Sequence, residues 1–163
     1  MIPQKQMLLW MIIGSFFLTT KAYTQSYQSA AGLRLGGLTS GIAIKHFISK
    51  TSALEGIVSV ARKSFIITGL YEKHVSVDHS NAFKLYFGAG GHLGFFQEGG
   101  SYYYNDHRLY TNATVKGIDM IIGMEYKFNN VPINIGFDFK PFIDFFNGNA
   151  LYFDGGLSIR YTF

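Results

Sequence analysis

The chain has 163 residues, of which 48% are hydrophobic, 17% aromatic and only 15% charged. A soluble domain carries about 25% charged residues, so the water-facing surface this chain can offer is thin. Of its net charge of +4, Lys5 and Lys21 near the N-terminus supply two units, and no Lys/Arg cluster remains to suit a nucleic acid.

The one continuous apolar run is Met7 to Leu18. It is shorter than the roughly 20 residues a helix needs to span a bilayer. Lys5 precedes it, and Thr19, Thr20, Ala22 and Thr24 follow, the order of a secretory signal peptide. Residues 1–24 are therefore read as a leader and 25–163 as one domain. No cysteine is present, which excludes disulfides, thiolate metal sites and a cysteine nucleophile.

Beyond the leader the chain alternates with period two, the pattern of a strand whose two faces meet different surroundings. Strands are expected at 29–37, 41–48, 54–61 and 64–73. The first sets Ala31, Leu33 and Leu35 against Gly32, Arg34 and Gly36. The second is the least regular, with His46 on the apolar side and Phe47 opposite. Over 83–95, Phe83, Leu85, Phe87, Leu93 and Phe95 oppose Lys84, Tyr86, Gly88, Gly90 and His92. Over 117–128, Ile118, Met120, Ile122, Met124 and Tyr126 oppose Asp119, Gly123, Glu125 and Lys127, with Ile121 the exception. Over 133–144, Ile133, Ile135, Phe137 and Phe139 oppose Asn134, Gly136, Asp138 and Lys140. Pro141 cannot donate to a ladder and is expected to mark a bulge or strand end. The last strand ends Leu157, Ile159, Tyr161, Phe163 against Gly156, Ser158, Arg160 and Thr162.

Eight strands of this length predict an all-β, eight-stranded, antiparallel up-and-down transmembrane β-barrel. With the N-terminus in the periplasm, outward loops fall at 38–40, 62–63, 96–115 and 145–152, and periplasmic turns at 49–53, 74–82 and 129–132. The apolar faces are nearly free of charge, so they are expected to meet lipid. Only a closed barrel lets strands satisfy their backbone groups there. Tyr71, Phe83, Tyr126, Phe128, Tyr161 and Phe163 then fall at the periplasmic rim, and Phe65, Phe95 and Phe153 at the outer rim.

The inward faces carry Arg34, Lys45, Lys84, Lys127, Lys140 and Arg160 against Glu55, Glu72, Asp119, Glu125, Asp138, Asp144 and Asp154. Six bases facing seven acids predict an ion-pair network that fills a narrow lumen and leaves no open pore.

The chain closes on GGLSIRYTF, with Leu157, Ile159, Tyr161 and Phe163 at alternate positions. This resembles the insertion signal read by the barrel assembly machinery of the outer membrane. The strand pattern resembles small eight-stranded barrels of the OmpA/OmpX-like type. GLRLGGLTSGIAIKHF, SALEGIVSV, GIDMIIGMEYKF and PINIGFDFKP are similar to uncharacterised outer-membrane proteins of Bacteroidetes. The resemblance implies a bacterial outer-membrane location, with outer-membrane lipid and lipopolysaccharide as surroundings, and it implies no activity.

Candidate chemistry is sparse, and neither an enzyme nor a cofactor is expected. Gly88-Ala-Gly-Gly-His-Leu-Gly94 loosely resembles a dinucleotide loop, but no helix pattern follows to hold a phosphate. His74, Asp78 and His79 share a turn, and Asp106 and His107 a loop, without a third spaced ligand. His92 with Ser59 would be the acyl-hydrolase candidates, but no acidic residue completes a triad, and His92 reads better as a lumen residue bonded to a carboxylate. The outward loop 97–115 is the best binding surface. Tyr102, Tyr103, Tyr104 and Tyr110 stand there beside His107 and Arg108, a mixture suited to an extracellular ligand or, alternatively, to an ordered cap stacked on the barrel mouth. The expected role is structural or surface interaction, the alternatives a narrow porin-like channel and, behind it, an outer-membrane lipid-modifying enzyme.

Overall fold

The computed structural model describes residues 27–77, 82–102, 112–145 and 149–163. Every described element is a β-strand: β1 (Ser29–Gly36), β2 (Ser40–Phe47), β3 (Ser52–Ser76), β4 (Phe83–Ser101), β5 (Ala113–Lys127), β6 (Ile133–Phe145) and β7 (Asn149–Thr162). Each pairs antiparallel with its chain neighbours, and β7 returns to β1, closing a barrel. The seam is bonded through the final residue, since Phe163 N donates to Ser29 O at 2.8 Å and Ser29 N to Phe163 O at 2.9 Å. No backbone edge is left open along it.

The barrel has seven elements rather than the eight expected, because 54–61 and 64–73 belong to the single element β3. A straight 25-residue strand would run about 80 Å, and β3 does not run straight. Its first part pairs with β2 (Ala53 with Phe47) and its second with β4 (Ser76 with Lys84). The register shifts between Arg62 and Ser64, and Lys63 takes a left-handed φ of 50°. His74 N donates to Thr51 O at 2.8 Å, so the two ends of β3 meet. The element therefore doubles back at Arg62–Lys63. Parity requires this: a ring of seven neighbours, all antiparallel, cannot close unless one element reverses within itself. The expected loop at 62–63 is no more than the bend between the two arms.

Two further boundaries differ. β4 continues to Ser101 and β5 begins at Ala113, so the outward loop starts later and ends sooner than expected. Pro141 makes neither a bulge nor an end. β6 runs through it, opposite Phe153, and the β5 register is the same on both sides (Asp119 with Phe142, Ile122 with Phe139). The ladder skips the two pairs between, where proline has no N–H to give. The expected leader, residues 1–24, lies outside the described residues.

The faces are sorted throughout. Phe87, Ile122 and Phe137 are 56–60% exposed on the outer wall, while Asp119 and Lys140 are at most 3% exposed within. His46 points outward beside Ser29, and Phe47 and Ile121 point inward, which resolves the irregular positions of the pattern. Close strand approach is bought with glycine: a Cβ on Gly90 would lie 1.8 Å from Gly69 O, and one on Gly32 2.0 Å from Ile159 O.

Candidate functional site

The lumen holds the chain's chemistry, in three clusters. Alternation along each strand sends every second side chain inward, and inward glycines make room for the long ones. The first cluster centres on Arg34 of β1. Its guanidinium donates to both carboxylate oxygens of Asp138, through Nη2 at 2.6 Å and Nε at 3.2 Å, and through Nη1 to Asp154 at 3.0 Å. Thr39 Oγ1 adds a 2.8 Å bond to Asp154, and Leu38 N reaches the other oxygen at 2.9 Å. Gly156 lies against the guanidinium; a Cβ there would sit 2.6 Å from Arg34 Cζ. This is the planar fork that suits arginine to carboxylates.

The second cluster lies toward the end of the barrel that holds both described termini. Lys45 Nζ stands 2.8 Å from Glu72 and 3.6 Å from both Glu55 and Glu125, and 4.1 Å above the Tyr86 ring. Arg160 also bonds Glu55. Tyr27 OH donates to Glu125 at 2.8 Å. His74 sits between Glu72 (3.0 Å) and Glu125 (3.4 Å) and stacks on Tyr86.

The third cluster lies toward the opposite mouth. His92 Nδ1 is 2.7 Å from Asp119 and Nε2 is 2.9 Å from Asp144, while Lys140 Nζ reaches Asp119 at 2.9 Å. Both ring nitrogens face carboxylates, so neither is free to activate Ser59. Above them Phe96, Tyr102, Phe142 and Tyr152 pack with ring centres 4.7–5.3 Å apart, an aromatic cap inside the mouth.

The structure thus brings together Arg34, Lys45, Glu55, Glu72, Asp119, Glu125, Asp138, Lys140, Asp144, Asp154 and Arg160 as buried ion pairs. Two bases are corrected. Lys127 is half-buried at the end of β5 and donates to the backbone carbonyls of Phe128 and Val131, not to a lumen carboxylate. A residue at a strand end has a turn within reach, and its alternation no longer decides its partner. Lys84 faces inward, but among the described residues its close contacts are the rings of Phe47 (4.7 Å) and Tyr27 (5.9 Å), not an acid.

At Tyr102 the structure matches the cap reading of the loop: the side chain is buried in the aromatic cap, with its hydroxyl 3.4 Å from Asp144. Tyr103, Tyr104, His107, Arg108 and Tyr110 lie outside the described residues, as do Asp78, His79 and Asp106. Leu157, Ile159 and Phe163 face outward and Tyr161 is half-buried. Among the described residues no group of three His, Asp or Glu is arranged to hold a metal.

Sequence reading missed His74 and Tyr27 as lumen residues. His74 was placed in a turn because β3 was expected to stop at 73; the signal was present in the Glu72–His74 alternation. Removing Lys127 leaves five buried bases, Arg34, Lys45, Lys84, Lys140 and Arg160, against the seven buried acids. His74 and His92 are the two buried histidines, and each lies between two of those acids. Buried carboxylates demand hydrogen-bond partners, and these two imidazoles each face two of them.

No protein-family model matches the chain, and no curated protein matches it.

Proposed function

We propose that the chain is a bacterial outer-membrane β-barrel with a structural or surface-interaction role, its lumen plugged by ion pairs. The observation that carries this is the inversion of the usual surface: a continuous apolar wall outside and paired charges inside. In water such a wall would be an aggregation surface far beyond the few hundred Å² that monomers tolerate. Against acyl chains it costs nothing, and the closed seam from β7 to β1 leaves no open sheet edge among the described strands. The C-terminal residues Leu157, Ile159, Tyr161 and Phe163 supply the signal for the assembly machinery. Binding to an extracellular ligand falls to the outward loop, with Tyr102 anchoring its base.

Two measurements test this. Outer-membrane fractions run on a gel with and without boiling are expected to show heat-dependent migration of the full barrel. A folded, monomeric protein in detergent-free buffer would refute the membrane reading. In planar bilayers the wild-type barrel is expected to give no conductance steps. Steps above background would replace the plug by a channel.

A further inference from the structure

The lumen is unevenly satisfied. Among the described residues Glu55 Oε2, Glu125 Oε2, Tyr86 OH, Asn134 Nδ2, Ser158 Oγ and Arg160 Nε are buried with no protein hydrogen-bond partner. None of the orphaned atoms belongs to Arg34, His92, Lys140 or the four lumen aspartates. Apart from Ser64 Oγ beside the β3 bend, the shortfall lies in the half of the lumen nearer the termini and at its border with Arg34.

These atoms stand together. Lys45 Nζ is 3.6 Å from both Glu55 Oε2 and Glu125 Oε2, too far for a direct hydrogen bond, and 4.1 Å over the Tyr86 ring. Arg160 is paired with Asn134 across β7 and β6, and Ser158 with Gly136. A Cβ on Gly136 would lie 3.0 Å from Arg160 Nη1 and 3.8 Å from Glu125 Cβ, so this glycine keeps the floor open between the arginine and the glutamate. Unmet donors and acceptors thus gather around Lys45 and Arg160.

Their charge says what they take. In this half Lys45, Lys84 and Arg160 match Glu55, Glu72 and Glu125 one for one, so no further ion is called for. What is unmet is hydrogen bonding, of both donors and acceptors. Buried polar atoms seldom go without a partner, and ordered water supplies one where the protein does not. A polar gap longer than 3.5 Å, such as those beside Lys45, is of the length that a water bridges.

Tyr27 closes the mouth beside this cluster. Its hydroxyl donates to Glu125 at 2.8 Å, and its ring meets Phe47 edge-on at 5.2 Å. It stands before β1, and the bond from Phe47 N goes to O of the next residue, Gln28. Tyr27 can therefore leave the mouth by losing one hydrogen bond and one ring contact, with no backbone pair broken. At the opposite mouth Tyr102 is locked among Phe96, Phe142 and Tyr152.

We infer that the half of the lumen nearer the termini is a binding chamber for small neutral hydrogen-bonding molecules, water first, with Tyr27 as its door. This deepens the plugged-lumen reading and rests on it, because it puts the seal in the other half, at the Arg34 fork and the aromatic cap.

The test uses the folded full barrel in detergent micelles, each sample checked by heat-dependent migration, and water itself as the first probe. Rotating-frame transfer from water, whose sign separates bound water from proton exchange, is expected at Arg160 Nε–H and the Asn134 amide. None is expected at Arg34 Nε–H, which donates to Asp138. Equal signals at the two arginines, or none at either, would overturn the chamber. The chain has no cysteine, so Ser158→Cys places a single thiol there at nearly constant volume. Methyl methanethiosulfonate, small and neutral, is expected to label it about 10- to 100-fold faster once Tyr27→Ala removes the bond to Glu125. Tyr27→Phe, which keeps the ring, is expected to fall between, and Tyr102→Ala to leave the rate unchanged. An unchanged rate in both Tyr27 variants, or equal acceleration by Tyr102→Ala, would remove the door. Conductance steps from the wild-type barrel would instead sink the plug, a result distinct from either.

Discussion

Arg34 is the point at which the plugged lumen can be tested most directly. Its guanidinium places three N–H groups on two buried carboxylates, Asp138 and Asp154. Arg34→Met keeps most of the side-chain volume and removes the charge, leaving both acids buried without their cation. Breaking a buried pair in this way costs about 3–5 kcal/mol. The triple variant Arg34→Met, Asp138→Asn, Asp154→Asn removes the stranded charges as well and is expected to recover more than half of that loss. Urea titration in phosphatidylcholine vesicles, with the folded fraction read from unheated gels, measures both. If Arg34→Met costs less than about 1 kcal/mol, the cluster is not the tightly desolvated ion-pair site described. If the triple variant is no better than the single, charge is not what the arginine supplies.

Three further outcomes follow from the same geometry. Gly156→Ala drives a Cβ to 2.6 Å from Arg34 Cζ and is expected to cost about 1–3 kcal/mol in that titration, whereas Gly56→Ala, with nothing within 4 Å, is expected to stay within about 0.5 kcal/mol. His92→Gln takes the imidazole from between Asp119 and Asp144 and is expected to cost about 1–3 kcal/mol, partly regained by Asp144→Asn, in the same assay. Phe163→Ala is expected to lower the yield of folded barrel in outer-membrane fractions several-fold while purified protein still folds into micelles; an unchanged yield would remove the terminal signal.

The sorting of faces was legible because the strand period is an integer. Once Ile118 faces out, Met120, Ile122 and Met124 must follow, and Asp119 and Glu125 must face in. Irregular positions yielded less. His46 and Phe47 broke the pattern by polarity alone, yet each kept its geometric face: the imidazole finds Ser29 outside, and the ring packs on Tyr27 and under Lys84 inside. Element boundaries were harder. Phe96 falls at the start of the expected loop 96–115, where the alternation of 83–95 gives out. In the barrel it is an inward residue of a strand that runs on to Ser101, and one of the rings of the aromatic cap. The reversal expected at 62–63 falls on the observed bend at Arg62–Lys63, although that bend carries no glycine, asparagine or proline and Lys63 takes the left-handed turn unaided.

Charge was the least legible quantity, because a sequence sum cannot tell a lumen from a rim. Six bases against seven acids reads as near balance, and moving Lys127 to its turn changes that to five against seven. The deficit is where His74 and His92 become informative. One was read as a turn residue and the other as a single-partner lumen residue, yet each is wedged between two acids on different strands. Glu72 and Glu125 come from β3 and β5, Asp119 and Asp144 from β5 and β6. An imidazole that bridges strands in this way ties the wall across the lumen as well as along its ladders.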